Sequence, residues 1–168
     1  NGKVRLIQHL SFPKGESVND SIGKLECKLL KFDQAVTAVK LAGTYAQLIK
    51  VDIRSAFRLI PVREEDLNLL GLHWDNKYYV DLVLPFGLRS SPAIWQRVSD
   101  GILFIIKNHG FNAFCYVDDI LVICPSRATA HAQLTQLIAL LNACHIPFAT
   151  EKLEGPSQAL TYLGVELD

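Results

Sequence analysis

The stretch FCYVDDILVIC, Phe114–Cys124, sets two adjacent acids, Asp118 and Asp119, inside a run that is otherwise almost wholly apolar. An uncompensated carboxylate in such surroundings neutralises, pairs or binds a cation, because taking a charge out of water is costly. Read as two strands with the acids between them, the segment is a hairpin whose tip offers both carboxylates to water or to a metal ion. Aspartate is also a good turn former, and for an isolated Asp-Asp pair that reading is the simpler one.

A second acid site lies upstream. In LIKVDI, residues 48–53, alternation puts Ile49, Val51 and Ile53 on one face of a strand and Leu48, Lys50 and Asp52 on the other, so Asp52 faces away from the more apolar side. Two strand-borne carboxylate sites converging at a sheet edge are what a pair of hard divalent cations requires: oxygen ligands, negative charge, and room for water and phosphate oxygens. Two such ions about 3.5 to 4 Å apart activate an attacking oxygen and stabilise a leaving one in phosphoryl transfer.

The rest of the chain supplies an ordered set of elements. Residues 3–10, KVRLIQHL, read as a strand, and 11–23 as a loop rich in turn formers. Leu30, Ala35, Val36 and Val39 recur at helical spacing, with Asp33 near the start and Gly43 at the stop. RSAFRLI is a short helical turn ended by Pro61, and residues 69–74 and 77–84 form a hairpin joined by Asp75 and Asn76. Ser91 and Pro92 signal the start of a helix that Trp95, Val98, Ile102, Ile105 and Ile106 carry to Gly110 as a core stripe. Ser126 precedes another helix, with Leu134, Leu137, Ile138 and Leu141 at the right period; ALTYLGVEL is a last strand. Strands and helices interleave without a strict βαβ rhythm, which favours an α+β fold with an antiparallel or mixed sheet and helices packed on one side.

Composition narrows the function classes. The 168 residues are 49% hydrophobic and 20% charged, ordinary for one globular domain, with Lys plus Arg equal to Asp plus Glu at 17 each. A nucleic-acid partner must therefore be held by a local patch rather than by bulk charge. No apolar run approaches the ~20 residues of a membrane span. Cys27, Cys115, Cys124 and Cys144 have neither disulfide-rich density nor zinc-site spacing, so reduced, intracellular thiols are expected, with nucleus and cytoplasm undecided. No methionine occurs even at position 1, and the chain reads as an excerpt of a longer polypeptide.

Taken in order, the motifs resemble those of reverse transcriptases. YVDD between two apolar strands is similar to the family's polymerase motif, and VDIRSAF to the motif carrying the first aspartate. LPFGLRSSPAIWQ resembles the segment that contacts template and incoming nucleotide. ATEKLEGPSQALTYLGVELD resembles the stretch with a late lysine and then the primer-grip strand. GKVRLIQHLSFPKGESVND is similar to the fingers strand and loop in the form seen in DIRS-like, tyrosine-recombinase retrotransposons.

The resemblance implies a palm-and-fingers polymerase core: fingers at about 1–44 and 61–90, palm at about 45–60 and 91–168, with thumb and RNase H absent from the chain. It implies that Asp52 and Asp118 are the principal ligands of two Mg2+ ions, Mn2+ being a possible substitute, with Asp119 assisting and the Ile53 carbonyl as an extra ligand. Lys3 and Arg5 would reach the triphosphate. Phe57, with Ala56 beside it, would block a sugar 2′-hydroxyl. Gly87 would let the backbone approach the nucleotide, and Phe86 stands where orthoretroviral enzymes have glutamine. Lys152 would protonate the leaving pyrophosphate. The implied partners are an RNA or DNA template with primer, deoxynucleoside triphosphates, and the rest of a parent polyprotein (thumb, RNase H, a tyrosine recombinase), with no membrane.

Read without the family, the same residues have plainer roles: Phe57 a core residue, Lys152 a surface lysine, Lys3 and Arg5 a solvated strand edge, Gly87 a turn. Two competing functions remain open. One is a non-catalytic, domesticated or decayed descendant that serves as a binding module. The other is a two-metal nuclease, which explains the acids but not Phe57 or Lys152.

Overall fold

The computed structural model describes residues 5–27 and 29–168. The elements in chain order are α1 (Val18–Ser21), α2 (Phe32–Ala42), β1 (Gln47–Asp52), two 3-10 turns (Ala56–Leu59 and Glu64–Leu70), β2 (Gly71–Trp74), β3 (Lys77–Val80) and α3 (Ser91–Asn108). They continue with β4 (Ala113–Tyr116), β5 (Asp119–Cys124), α4 (Arg127–Ala143), a 3-10 turn (Thr150–Lys152), β6 (Glu154–Ser157), β7 (Leu160–Tyr162) and β8 (Val165–Leu167). Among the described residues no helix is long and apolar enough to cross a membrane.

These elements form two compact units, each made of two separate stretches of chain: 1–27 with 55–96, and 28–54 with 97–168. Helix α2 packs in the second unit. Ala35 of α2 is fully buried in one apolar cluster with Leu48, Leu121, Ile123 and Tyr162, and Phe32, Val36 and Val39 lie against it.

The second unit is built on an antiparallel sheet in the order β4-β5-β1-β6. Both faces of its centre are apolar, so β1 and β5 are buried almost throughout. One face, with Leu48, Leu121 and Ile123, is covered by α2 and the β7–β8 hairpin. Helix α4 packs on β1, β5 and β6, and its Ala130, Leu137 and Leu141 are fully buried. Burial of Leu137 and Leu141 contributes about 1.5–3 kcal/mol each. The Ser126 hydroxyl accepts a hydrogen bond from the Thr129 amide and caps α4, as its sequence predicts. The expectation of a greasy and a less greasy face for β1 is thus corrected: Leu48 is as buried as Ile49.

Two further corrections concern the ends of the chain. The segment expected to form the final strand is two strands, β7 and β8, which turn back on each other at Leu163 and Gly164, both at positive φ. The segment expected to form the first strand makes, among its described residues, a single parallel bridge, Ile7 to Phe86.

In the first unit the β2–β3 hairpin forms as the sequence predicts, with Asp75 and Asn76 both at positive φ in its two-residue turn. Helix α1, within the expected loop, begins with a capping box between Ser17 and Asp20. The buried Asn19 side chain donates to the Gly87 carbonyl at 2.9 Å and accepts from the Arg89 amide at 2.8 Å, fixing the loop that precedes α3. Ser91 is the first residue of α3, and its hydroxyl donates to the Pro85 carbonyl. Of the expected core stripe on α3, Trp95, Ile102 and Ile106 are buried, whereas Val98 is exposed and Ile105 only half-buried.

Candidate active site

The antiparallel register decides which acids meet. Asp52 ends β1, Asp119 begins β5, and the two are cross-strand partners. Asp118 lies in the two-residue turn between β4 and β5, and its carbonyl accepts from the Ile53 amide at 2.8 Å. The acids therefore sit at the ends of two central strands, not on a lateral edge of the sheet. Asp52 is nearly buried at 9% exposure, while Asp118 and Asp119 are half-buried.

Lysine supplies the compensating charge. Lys152, on the 3-10 turn after α4, places its ammonium 2.5 Å from the Asp52 carboxylate. That hydrogen bond, helped by the charges of Asp52, Asp118 and Asp119 and opposed by burial, holds the ammonium protonated above its ordinary range. Burial, then the charges of Asp118 and Asp52, push the Asp119 carboxyl above the usual carboxylate range, with Lys50 and Lys152 opposing. Lys50, two residues before Asp52, donates to the Thr161 carbonyl at 2.9 Å and pairs with Glu154.

Among the described residues no three His, Cys, Asp or Glu side chains form a ready-made cage for a metal ion. The donor chemistry nevertheless fits hard divalent cations. Asp52 and Asp119 put oxygen donors on facing strand ends, and the effect of Asp118 and Asp52 on the Asp119 carboxyl shows a like-charge group that added positive charge would relieve.

The residues implied to contact nucleotide fall into both units. Ile53 belongs with the acids; Arg5, Ala56, Phe57, Phe86 and Gly87 belong to the first unit, and Lys3 lies outside the described residues. Within the first unit the Phe57 and Phe86 rings meet at 5.5 Å between centroids, and the Arg5 guanidinium lies 5.9 Å from the Phe86 ring. Phe57 is half-buried, so it is not the core residue its type suggests. Ala56, at φ 28, follows Ser55 at φ 68, and the two reverse the chain just after β1. Gly87 does allow a close approach, to the chain's own backbone. At φ +101, a Cβ there would stand 1.9 Å from the Gln8 carbonyl oxygen.

Sequence reasoning passed over three participants. Asn19 carries a faint signal, its place inside a Ser-x-x-Asp capping box. Asp81, which accepts from Gln8 at 2.8 Å and Arg58 at 2.6 Å, and Tyr162, whose hydroxyl donates to the Asp119 carbonyl at 3.1 Å, carry none, because their partners are remote in sequence.

Comparison with known proteins identifies the family. A model of the family described as "Reverse transcriptase (RNA-dependent DNA polymerase)" matches residues 7–167. The chain belongs to the reverse transcriptase family. It is 32% identical over 73% of its length to the Retrovirus-related Pol polyprotein from transposon opus of Drosophila melanogaster. It is 28% identical over 78% to Polyprotein P3 of Commelina yellow mottle virus, and 26% identical over 70% to the Transposon Tf2-3 polyprotein of Schizosaccharomyces pombe. The chain spans only 12%, 7% and 9% of those three polyproteins. Among solved structures it superposes on a foamy viral protease-reverse transcriptase in complex with double-stranded DNA, with TM-score 0.72 and 19% identity over 89% of this chain and 25% of that one. The native prototype foamy virus enzyme gives 0.62, with 20% identity over 90% of this chain and 20% of that one. The fold is thus the α+β palm-and-fingers core of a reverse transcriptase domain.

Proposed function

We propose that the chain is the catalytic core of an RNA-directed DNA polymerase that transfers deoxynucleotides to a primer 3′-hydroxyl on an RNA or DNA template. The observation that carries the reading is the pairing of Asp52 with Asp119 at the strand ends, with Asp118 in the adjoining turn and Lys152 against Asp52. The carboxylates of Asp52 and Asp118, with Asp119 and the Ile53 carbonyl assisting, would hold two Mg2+ ions, or Mn2+ in their place. Bound there, the ions would lower the proton affinity of the attacking hydroxyl and neutralise charge on the phosphates. The chain's own part is positional: two rigid central strands fix the carboxylates, and proximity supplies much of the rate. Lys152 holds a proton close to Asp52 and can deliver it to a leaving pyrophosphate. In the first unit, Arg5 and Lys3 would meet the triphosphate, and Phe57, with Ala56, Phe86 and Gly87, would bound the sugar.

The test is primer extension on matched RNA and DNA templates with Mg2+ or Mn2+, using this chain and its parent polypeptide. Asp52→Asn and Asp118→Asn should each abolish extension while circular dichroism stays native. Full activity in either variant would defeat the assignment. The form of the fingers loop further suggests a DIRS-like parent element. A tyrosine recombinase in the downstream reading frame would support that placement, and a DDE-type integrase would overturn it.

A further inference from the structure

The turn that carries Asp118 is strained. Val117, a β-branched residue, has φ 57, a left-handed conformation that such side chains rarely adopt and that persists only when its surroundings over-determine it. The Asp118 carbonyl accepts from Ile53, and the Cys115 thiol, 3.1 Å from the Ser99 hydroxyl, donates to the Val117 carbonyl. On the sheet face carrying Asp119, the fully buried Tyr162 donates its hydroxyl to the Asp119 carbonyl at 3.1 Å. Asp119 pairs with Tyr116 in the last rung of the β4–β5 hairpin and with Asp52 in the last rung of the β5–β1 ladder, so this bond grips both rungs that border the turn.

Tyr162 is itself well anchored. Its ring stacks on Phe32 of α2 at 6.4 Å and lies in the cluster formed with Leu121 and Ile123. Beside it, the Thr161 carbonyl is held by Lys50. The β7–β8 hairpin therefore meets the acid-bearing sheet at two polar points, both beside the carboxylates. A buried phenol needs a hydrogen-bond partner, and a carbonyl adjoining a strained turn gains a fixed direction from one.

We propose that Tyr162 is a positioning residue for the acidic turn: through the Asp119 carbonyl it locks the backbone that presents Asp118 and Asp119, and so couples the β7–β8 hairpin to the active site. The consequence for metal binding rests on the function proposed above; the mechanical role does not.

Tyr162→Phe removes the hydroxyl and keeps the ring, so the packing survives. Phe32→Leu, as a control, weakens the stack and leaves the hydroxyl in place. Amide hydrogen exchange, read residue by residue without divalent ions, should show the Ile53 amide exchanging about fivefold or more faster in Tyr162→Phe. The Val122 amide, at the far end of the hairpin, should be unchanged, and Phe32→Leu should show no effect confined to Ile53. Unchanged exchange at Ile53, or a uniform acceleration along β5, would overturn the proposal. Mn2+ titration followed by electron paramagnetic resonance separates the two ideas. The wild-type chain should bind Mn2+, Asp52→Asn should lose it, and Tyr162→Phe should bind about three- to tenfold more weakly. A wild-type chain that binds no Mn2+ would defeat the metal reading, and the exchange comparison would still decide the role of Tyr162.

Discussion

Asp119 and Asp52 face each other across one rung of the sheet, yet their neutralisation should act differently on stability. The Asp119 carboxyl titrates above its ordinary value in the folded chain, so the fold binds that proton more tightly than the unfolded chain does. Stability from this group is complete below the ordinary carboxylate range and is lost as pH rises through the folded value. Asp119→Asn should therefore stabilise the metal-free protein at pH 7 by up to about 1 kcal/mol, the figure kept low because a half-buried carboxyl is screened by solvent. Urea melts at pH 4 and pH 7 check this, the difference closing at the acid end. Asp52→Asn gives no such gain, because it abandons the Lys152 ammonium. The raised Lys152 value makes the ammonium's contribution complete below pH 10.5 and lost as pH rises through the folded value, so any deficit of Asp52→Asn should persist at neutral pH and close in alkali. Phe57 offers a different test. Half-buried against Phe86, its truncation should cost less than the 3–5 kcal/mol or so of a core phenylalanine. If Phe57 bounds the sugar, Phe57→Ala should raise ribonucleotide incorporation far more than it lowers deoxynucleotide use, which single-nucleotide extension measures.

At the scale of elements, β6 is the strand with the least in its sequence to announce it. Glu154–Ser157 has no apolar alternation; it pairs with β1 because Gly155, at φ +92, brings the two backbones together. A Cβ at Gly155 would stand 2.1 Å from the Leu48 carbonyl oxygen, whereas one at Gly101, in α3, would meet nothing within 4 Å. Gly155→Ala should thus destabilise by roughly 1–3 kcal/mol or more, and Gly101→Ala should stabilise by about 0.5–1 kcal/mol, as thermal melts of the pair will show. The same contrast explains what could be read from the sequence. β1, β4, β5 and α4 were legible because burial imposes a local period, and the acids because they interrupt it. The turn at Leu163–Gly164 was not, since a leucine at φ 52 carries no turn signal and the apolar residues run on across it. Arg5–Leu10 has apolar residues in place, yet Leu6 and Ile7 stay exposed and one bridge is all it forms. The acid pairing was legible as two motifs; the contacts of Lys152 with Asp52 and of Tyr162 with Asp119 were not, since they join residues 100 and 43 positions apart in sequence.

The chain carries no net charge, so long-range attraction to phosphate contributes little, and under the proposed function binding to template-primer would rest on specific contacts. The 168-residue chain is expected to bind template-primer weakly at physiological salt and to add at most a few nucleotides per encounter. If the parent polypeptide continues past Asp168, the longer chain should give longer products without any change to the residues named above. A single-encounter extension assay with a competitor trap measures this, and long products from the short chain would contradict it. The interleaving of the two units, 1–27 with 55–96 and 28–54 with 97–168, bears also on how the protein is made. β1 leaves the ribosome before either of its neighbours, β5 and β6, has been translated. Until they arrive, a nascent chain carries an apolar central strand with two open edges, a template for chaperones or for a neighbouring chain on the same polysome. Asp52 is laid down early and acquires its surroundings last, so slowing translation between β1 and β5 should lower the yield of soluble protein without changing one amino acid.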